Sequence, residues 1–178
     1  VENSDLENPL AIFKDAITQV NELIFDEGQE PEFQGMATTL VAATIEGDTV
    51  YVANVGDSRA YIIGDEVTQI TWDHSYVGEL MRRGKITKEE ARFHNRNNII
   101  TRAIGAEETV EPDYFQVEME EGEIILLCTD GLYNMVSERT IQAVVNARGS
   151  LKAKAEKLVD LANDAGGKDN IAAVLIAK

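Results

Sequence analysis

Apolar residues recur at helical spacing near the start of the chain, at Phe13, Ile17, Val20 and Ile24. This predicts a helix over residues 9–24, with Asn8 as its N-cap and Pro9 in the first turn. The segment 27–34, which holds Gly28 and Pro31, reads as a loop. The apolar period then shortens. Runs at 39–45 and 49–55 flank Glu46-Gly47-Asp48, and runs at 59–63 and 67–71 flank Gly64-Asp65. These are strand signals with turn punctuation. Connections so short cannot carry parallel crossovers, so an antiparallel meander is expected.

Residues 73–98 are more polar. A short helix over 75–83 is expected to stop at Gly84, and Thr87-Lys88-Glu89-Glu90 is a capping box opening another. The stretch reads as a surface excursion between two sheet regions. Strand patterns return at 99–103, 114–118 and 123–128. Helices are predicted over 137–148 and 151–165, each closed by glycine, at Gly149 and Gly166. The final run, 171–177, is almost continuously apolar and is expected to be a central strand. Nothing resembling a linker or repeat interrupts the chain. The expectation is one α/β domain of the α+β type over residues 1–178, with mainly antiparallel sheets and an excursion at 73–98.

Composition narrows the function classes. Hydrophobic residues make up 44% of the 178, which excludes a disordered chain. The 32 acidic side chains outnumber the 16 basic ones, for a net charge of −16. Such a surface repels nucleic acid and anionic lipid, so neither is expected as a partner. No apolar run approaches the ~20 residues that span a bilayer, and no signal-type start is seen. The single Cys128 rules out an internal disulfide, suits a reducing compartment, and reads as a small buried residue at a strand end. A cytoplasmic location is the expectation.

The candidate chemistry lies in three aspartates placed in turns beside apolar runs. Asp57 follows Asn54-Val55-Gly56, Asp130 precedes Gly131 after Ile124-Ile125-Leu126-Leu127-Cys128-Thr129, and Asp169 follows Gly166-Gly167-Lys168. Taken singly, each has an ordinary turn or capping explanation about as good as a functional one. Together they would place carboxylates at strand ends in one sheet system. Such a cluster is repulsive unless filled by hard divalent cations, which prefer oxygen ligands. Arg59 and Arg102 are anion-contact candidates, although arginines there more often bond loop carbonyls or acidic neighbours. His74 reads as a residue that positions the excursion, and His94 as a solvated loop residue.

These segments resemble the metal-dependent serine/threonine protein phosphatases of the phosphatase 2C family, bacterial type. Gly35-Met36-Ala37-Thr38-Thr39-Leu40 is similar to the family's Gly-Met-Gly-Thr-Thr stretch, with Ala37 in place of glycine. Asp73-His74-Ser75 and Arg96-Asn97-Asn98-Ile99-Ile100-Thr101-Arg102-Ala103-Ile104-Gly105 resemble the segments flanking its flap. The resemblance runs from about Leu10 to Lys178. It implies a four-layer sandwich, with two antiparallel sheets inside and a pair of helices on each face. It implies that Asp130 and Asp169 ligate one metal of a catalytic pair, and that Asp57 with Asp130 holds a weaker third ion. Two to three Mn²⁺ or Mg²⁺ ions would then serve the complete domain. His74 and Ser75 would belong to the substrate side, at the flap. The implied reaction is hydrolysis of phosphoserine or phosphothreonine by in-line attack of a water shared by two metals. Phosphorylated proteins are the implied partners, and the complete domain is expected to be monomeric.

One departure bears on activity. The family's opening strands and its Asp-Gly-Met-Gly-Gly-His segment, which carry ligands of the first metal and the phosphate arginine, have no counterpart in this sequence. The chain opens on Val1, where the first helix is about to begin, and is therefore expected to be an incomplete catalytic domain with little activity alone. A non-catalytic phosphatase-like binding module is the alternative. Retention of all three aspartates favours the enzyme.

Overall fold

The computed structural model describes residues 9–178, so the expected N-cap Asn8 lies outside the described residues. Helix α1 (Pro9–Glu27) continues past the expected end at Ile24. Its buried stripe is also rotated. Ile17 is 3% exposed as expected, but Val20 is 38% exposed and Asn21 only 2%. Asn21 turns inward because its amide closes a loop. The Gly105 N–H donates to Asn21 Oδ1 at 2.8 Å, and Asn21 Nδ2 donates to the carbonyls of Glu107 and Glu108. A buried amide satisfied on both ends carries no desolvation penalty of the kind an apolar pattern would avoid.

Two antiparallel sheets follow. Strands β1 (Leu40–Glu46), β2 (Thr49–Val55) and β5 (Asp113–Glu118) form one, in the order β1-β2-β5. Strands β3 (Arg59–Ile63), β4 (Val67–Gln69), β6 (Ile124–Cys128) and β7 (Ala173–Ala177) form the other, in the order β4-β3-β6-β7. The expected meander therefore breaks between β2 and β3, which belong to different sheets. Gly56, at φ +107°, makes the corner, and a Cβ there would come within 2.4 Å of Thr39 Cγ2. Only glycine accepts both conditions.

Alternation along β3 and β6 sorts the core into layers. Ala60, Ile62, Ile125 and Leu127 face Val50 and Val52 of the other sheet. Tyr61, Ile63, Leu126 and Cys128 face the opposite way, onto Ile141, Val145 and Leu158. Those last residues belong to α5 (Glu138–Val145) and α6 (Leu151–Asp164). On the far side, Phe13, Ile17 and Ile24 of α1 pack on Ala53 and Val55. The result is a helix–sheet–sheet–helix stack. A pair of helices covers the four-stranded sheet as expected, whereas among the described residues α1 alone covers the three-stranded one.

Other expectations need correction. Residues 99–103 form no strand; Ile100 makes an isolated bridge with Ser75, and Ile104, just beyond, another with Thr38. Strand β7 sits at an edge among the described residues, and its Val174 is 52% exposed. Its apolar run reflects burial of one face, with Leu175 on the helix side and Ile176 between the sheets. A short helix α4 (Asp130–Tyr133) stands where only a turn was expected. The excursion contains α2 (Tyr76–Arg82), N-capped by Ser75, and α3 (Lys88–Arg92), opened by the Thr87/Glu90 capping box.

Candidate active site

The strand-end aspartates are positioned by backbone geometry. Asp130 leaves β6 as the first residue of α4, after Thr129. The Thr129 side chain bonds the loop that carries Asp169: its hydroxyl donates to the Asn170 carbonyl and accepts from the Ala172 N–H. The Thr129 N–H also donates to the Ala172 carbonyl at 3.2 Å. The two aspartate-bearing segments are thus tied together at their bases. Asp169 itself is exposed, and its Oδ1 accepts from the Asn170 N–H at 2.7 Å.

Asp57 lies in the corner between the sheets, half-buried. Thr39 of the Gly-Met-Ala-Thr-Thr stretch holds this corner through its hydroxyl, 2.9 Å from that of Ser58. Asp57 and Asp130 open onto the same cleft, of about 540 Å³. Burial, then the charges of Asp130 and Asp73, push the Asp57 carboxyl up to about 6. Burial and the neighbouring Asp169 charge likewise raise Asp130. The aspartates therefore feel one another in sequence, Asp57 to Asp130 to Asp169. Asp169 does not line the cleft, however. Among the described residues, no three acidic, histidine or cysteine side chains converge closely enough to enclose an ion. Two carboxylates in one cleft, each made more basic by burial and by a like charge, suit a hard divalent cation as donors, but they form a partial cage.

His74 and Ser75 stand at the root of the excursion and do not reach the aspartates as ligands. His74 is 3% exposed. Its Nδ1 accepts from the Gly56 N–H at 3.1 Å, and the His74 backbone N–H donates to the Gly56 carbonyl at 2.8 Å. Nε2 lies 3.1 Å from both Asp113 Oδ2 and Arg102 Nη1. With Nδ1 accepting, Nε2 carries the proton and donates to Asp113. Burial holds the imidazole below its usual value despite that carboxylate. Ser75 lines the cleft, yet its hydroxyl is engaged as the N-cap of α2, accepting from the Gly78 N–H at 3.0 Å. His94 is half-buried against Tyr76, with ring centres 5.5 Å apart, which corrects the expectation of a solvated residue.

The arginines are structural. Arg59 forks onto Asp73 at 2.9 and 2.7 Å, and Arg102 bonds Asp113 and the Glu111 carbonyl. Cys128 is buried, and burial pushes its thiol up to about 12, which removes it as a nucleophile. Sequence reasoning missed Asp73 as the partner of Arg59, and Tyr133, whose phenol donates to the Asp57 carbonyl at 2.9 Å. No spacing rule announces either pair, because both join segments distant along the chain. The cleft's outer wall comes from Met81 of α2 and from Lys88, Arg92 and the 84%-exposed Phe93 at α3. Lys88 Nζ reaches Glu138 Oε1 of α5 at 2.5 Å, closing one rim of the cleft.

Comparison with known proteins agrees with this architecture. The family profile described as Protein phosphatase 2C matches residues 1–171. The serine/threonine phosphatase stp of Listeria innocua is 43% identical over 164 residues, covering 91% of this chain and 65% of that protein. Protein phosphatase PhpP of Streptococcus pneumoniae is 44% identical over 159 residues, covering 88% and 64%. The chain thus spans just under two thirds of the length of these relatives. The crystal structure of serine/threonine phosphatase Stp1 from Staphylococcus aureus superposes with a TM-score of 0.93 at 34% identity, covering all of this chain and 71% of that one. The catalytic domain of the serine/threonine protein phosphatase PstP, solved in complex with two manganese ions, matches at TM-score 0.83 and 36% identity, covering 98% and 72%. On the profile match, the relatives and the shared fold, the chain belongs to the protein phosphatase 2C family.

Proposed function

We propose that the chain is the greater part of one catalytic domain of a metal-dependent protein serine/threonine phosphatase, acting on phosphoserine and phosphothreonine in proteins. The observation that carries this reading is the opening of Asp57 and Asp130 onto one cleft, each with its proton affinity raised by burial and by a neighbouring carboxylate. The names of the Listeria and pneumococcal relatives support the reaction class.

Asp57 and Asp130 would hold one divalent ion, and Asp130 and Asp169 would contribute to another. Mn²⁺ or Mg²⁺ bound there would neutralise charge and acidify a water for in-line displacement at phosphorus. The chain's own residues do the rest. At a net charge of −16, with carboxylates on its floor, the cleft repels a phosphate dianion until cations offset them. The Thr129 hydroxyl bonds, and the close approach of Gly131 to the Asn170 carbonyl, hold the Asp130 and Asp169 segments in register. Arg59 and Arg102 are occupied by carboxylates, and Lys88 by Glu138, so positive charge toward the substrate comes from Arg92 on the outer wall of the cleft. Residues 73–98, carrying that wall from a root at His74 and Ser75, would act as a flap that shapes substrate choice.

A monomeric domain with neither nucleic acid nor membrane as partner, working in the cytoplasm, fits the acidic surface. Among the described residues, no helix is long and apolar enough to cross a membrane. A second reading, a non-catalytic phosphatase-like module, is favoured by the partial cage. Hydrolysis of a phosphothreonine peptide by the full-length parent protein separates the two. Turnover that requires Mn²⁺ or Mg²⁺ and vanishes on chelation supports the enzyme, and an inert parent supports the module.

A further inference from the structure

Tyr133 closes the short helix that begins at Asp130. Its phenol holds the Asp57 carbonyl, and the Arg59 guanidinium carbon lies 3.5 Å from the centre of its ring. Arg59 gives its Nη1 to the Tyr61 hydroxyl at 3.0 Å and the rest of its fork to Asp73. Both partners of that fork are sheltered, with side-chain exposures of 13% and 5%. Asp73 also accepts from Gln69 Nε2 at 3.2 Å. The next residue, His74, returns to Gly56 through two hydrogen bonds. The contacts close a ring: Asp57, Tyr133, Arg59, Asp73, His74, Gly56.

We propose that Tyr133 and Arg59, locked by Asp73, are positioning residues that fix the Asp57 corner against the Asp130 helix and couple it to the root of the α2–α3 excursion. The need for such a clamp follows from Gly56. A glycine corner joining two sheets has little conformational preference of its own, so the Asp57 carboxylate depends on outside contacts for its direction. A bidentate fork is directional where a lone charge is not, and a guanidinium stacked on a phenol fixes the plane of that fork. Movement of the excursion root at Asp73 would therefore be felt at Asp57. The catalytic purpose of the clamp rests on the proposed cation site.

The test uses amide hydrogen exchange on the metal-free chain, with Mn²⁺ titration followed by electron paramagnetic resonance as a separate arm. Tyr133→Phe keeps the ring under Arg59 and removes only the hydroxyl. It should speed exchange at the hydrogen-bonded amides of Gly56 and His74 by about tenfold, the size expected for loss of one sheltered hydrogen bond, and leave Ile125 and Leu126 unchanged. Asp73→Asn should affect the same amides, and the double variant should fall short of the sum, since both act through Arg59. Ser150→Ala removes the N-cap of α6 and serves as the control for general loosening. Unchanged exchange in Tyr133→Phe, or a rise spread evenly as in Ser150→Ala, overturns the clamp. Tyr133→Phe decides the matter by itself if Asp73→Asn does not fold. In the titration arm, wild-type chain should bind Mn²⁺ in a way lost in Asp57→Ala and weakened several-fold in Tyr133→Phe. No Asp57-dependent Mn²⁺ binding by the wild type removes the cation reading, and exchange still decides whether the ring of contacts is coupled.

Discussion

Gly131 lies flush against Asn170: a Cβ on Gly131 would come within 2.2 Å of the Asn170 carbonyl oxygen. This contact joins the residue after Asp130 to the residue after Asp169. No rotamer relieves it, because the obstacle is backbone. Gly131→Ala should therefore push the Asp169 loop away from α4 and destabilise the fold by about 1–3 kcal/mol, the usual range for an overpacked site. Urea melts of the chain check the stability, and Thr129→Ser, which keeps the hydroxyl bonds to the same loop, should stay close to wild type.

How much of this was legible beforehand depended on the range of the interaction. The bounds of β2 and β3 and the Thr87 cap are legible as local chemistry, whereas Ser75, expected inside helix α2, proves to be its N-cap. The break between β2 and β3 is not legible, since a glycine turn between two apolar runs looks the same whether the strands pair or part. Asn21 was missed for the same reason: its partners at Gly105, Glu107 and Glu108 lie far along the chain. The aspartates were identified from their turns, but which of them share the cleft depended on packing between α4 and the corner at Gly56.

His74 gives a pH prediction with a definite sign. Burial lowers its folded-state value below the ordinary 6.5. The unfolded chain therefore takes up the proton first as pH falls through ~6.5, and stability falls with pH below that point. Above it both states are neutral and this contribution is flat. Asp113 adds a second loss at lower pH. Burial pushes its carboxyl up, but His74 and Arg102 hold it below the usual range, so its contribution is lost as pH falls through that lowered value. Asp57, held up to about 6, acts in the opposite sense over the same window, so the His74 share is a difference: between pH 7.5 and 5, thermal melts should show wild type losing stability relative to His74→Gln. Equal slopes in the two proteins would assign the loss elsewhere.

The excursion is held to α5 by the Lys88–Glu138 pair, whose side chains are 59% and 35% exposed. A pair this solvated contributes at most ~1 kcal/mol. Glu138→Gln should accordingly speed amide exchange across α3 by no more than several-fold, and leave α5 unaltered because its N-cap, Ser137, is intact. Wild-type amides at 75–93 should already exchange faster than those of Ile124–Cys128, which are paired on both sides by β3 and β7. Exchange in the excursion as slow as in β6 would refute a mobile flap.

The aspartates should not contribute equally to turnover in the full-length parent. Asp130 is shared by both proposed ion sites: it opens onto the cleft with Asp57 and feels the charge of Asp169. Asp130→Ala should therefore lower kcat by on the order of a hundredfold or more, since one lost ligand disturbs both the ion and the water it acidifies. Asp169→Ala should come close to this. Asp57→Ala should be milder, because it touches one site only, and its loss should be partly recovered at high Mn²⁺. In the 178-residue chain, where the described residues offer no three-ligand enclosure, turnover should be weak at any Mn²⁺ concentration. Steady-state hydrolysis of a phosphothreonine peptide across an Mn²⁺ series measures all four proteins. Equal losses for Asp57→Ala and Asp130→Ala would show that a single ion, held by both, does the chemistry. Vigorous turnover by the 178-residue chain alone would show that its own carboxylates complete the site.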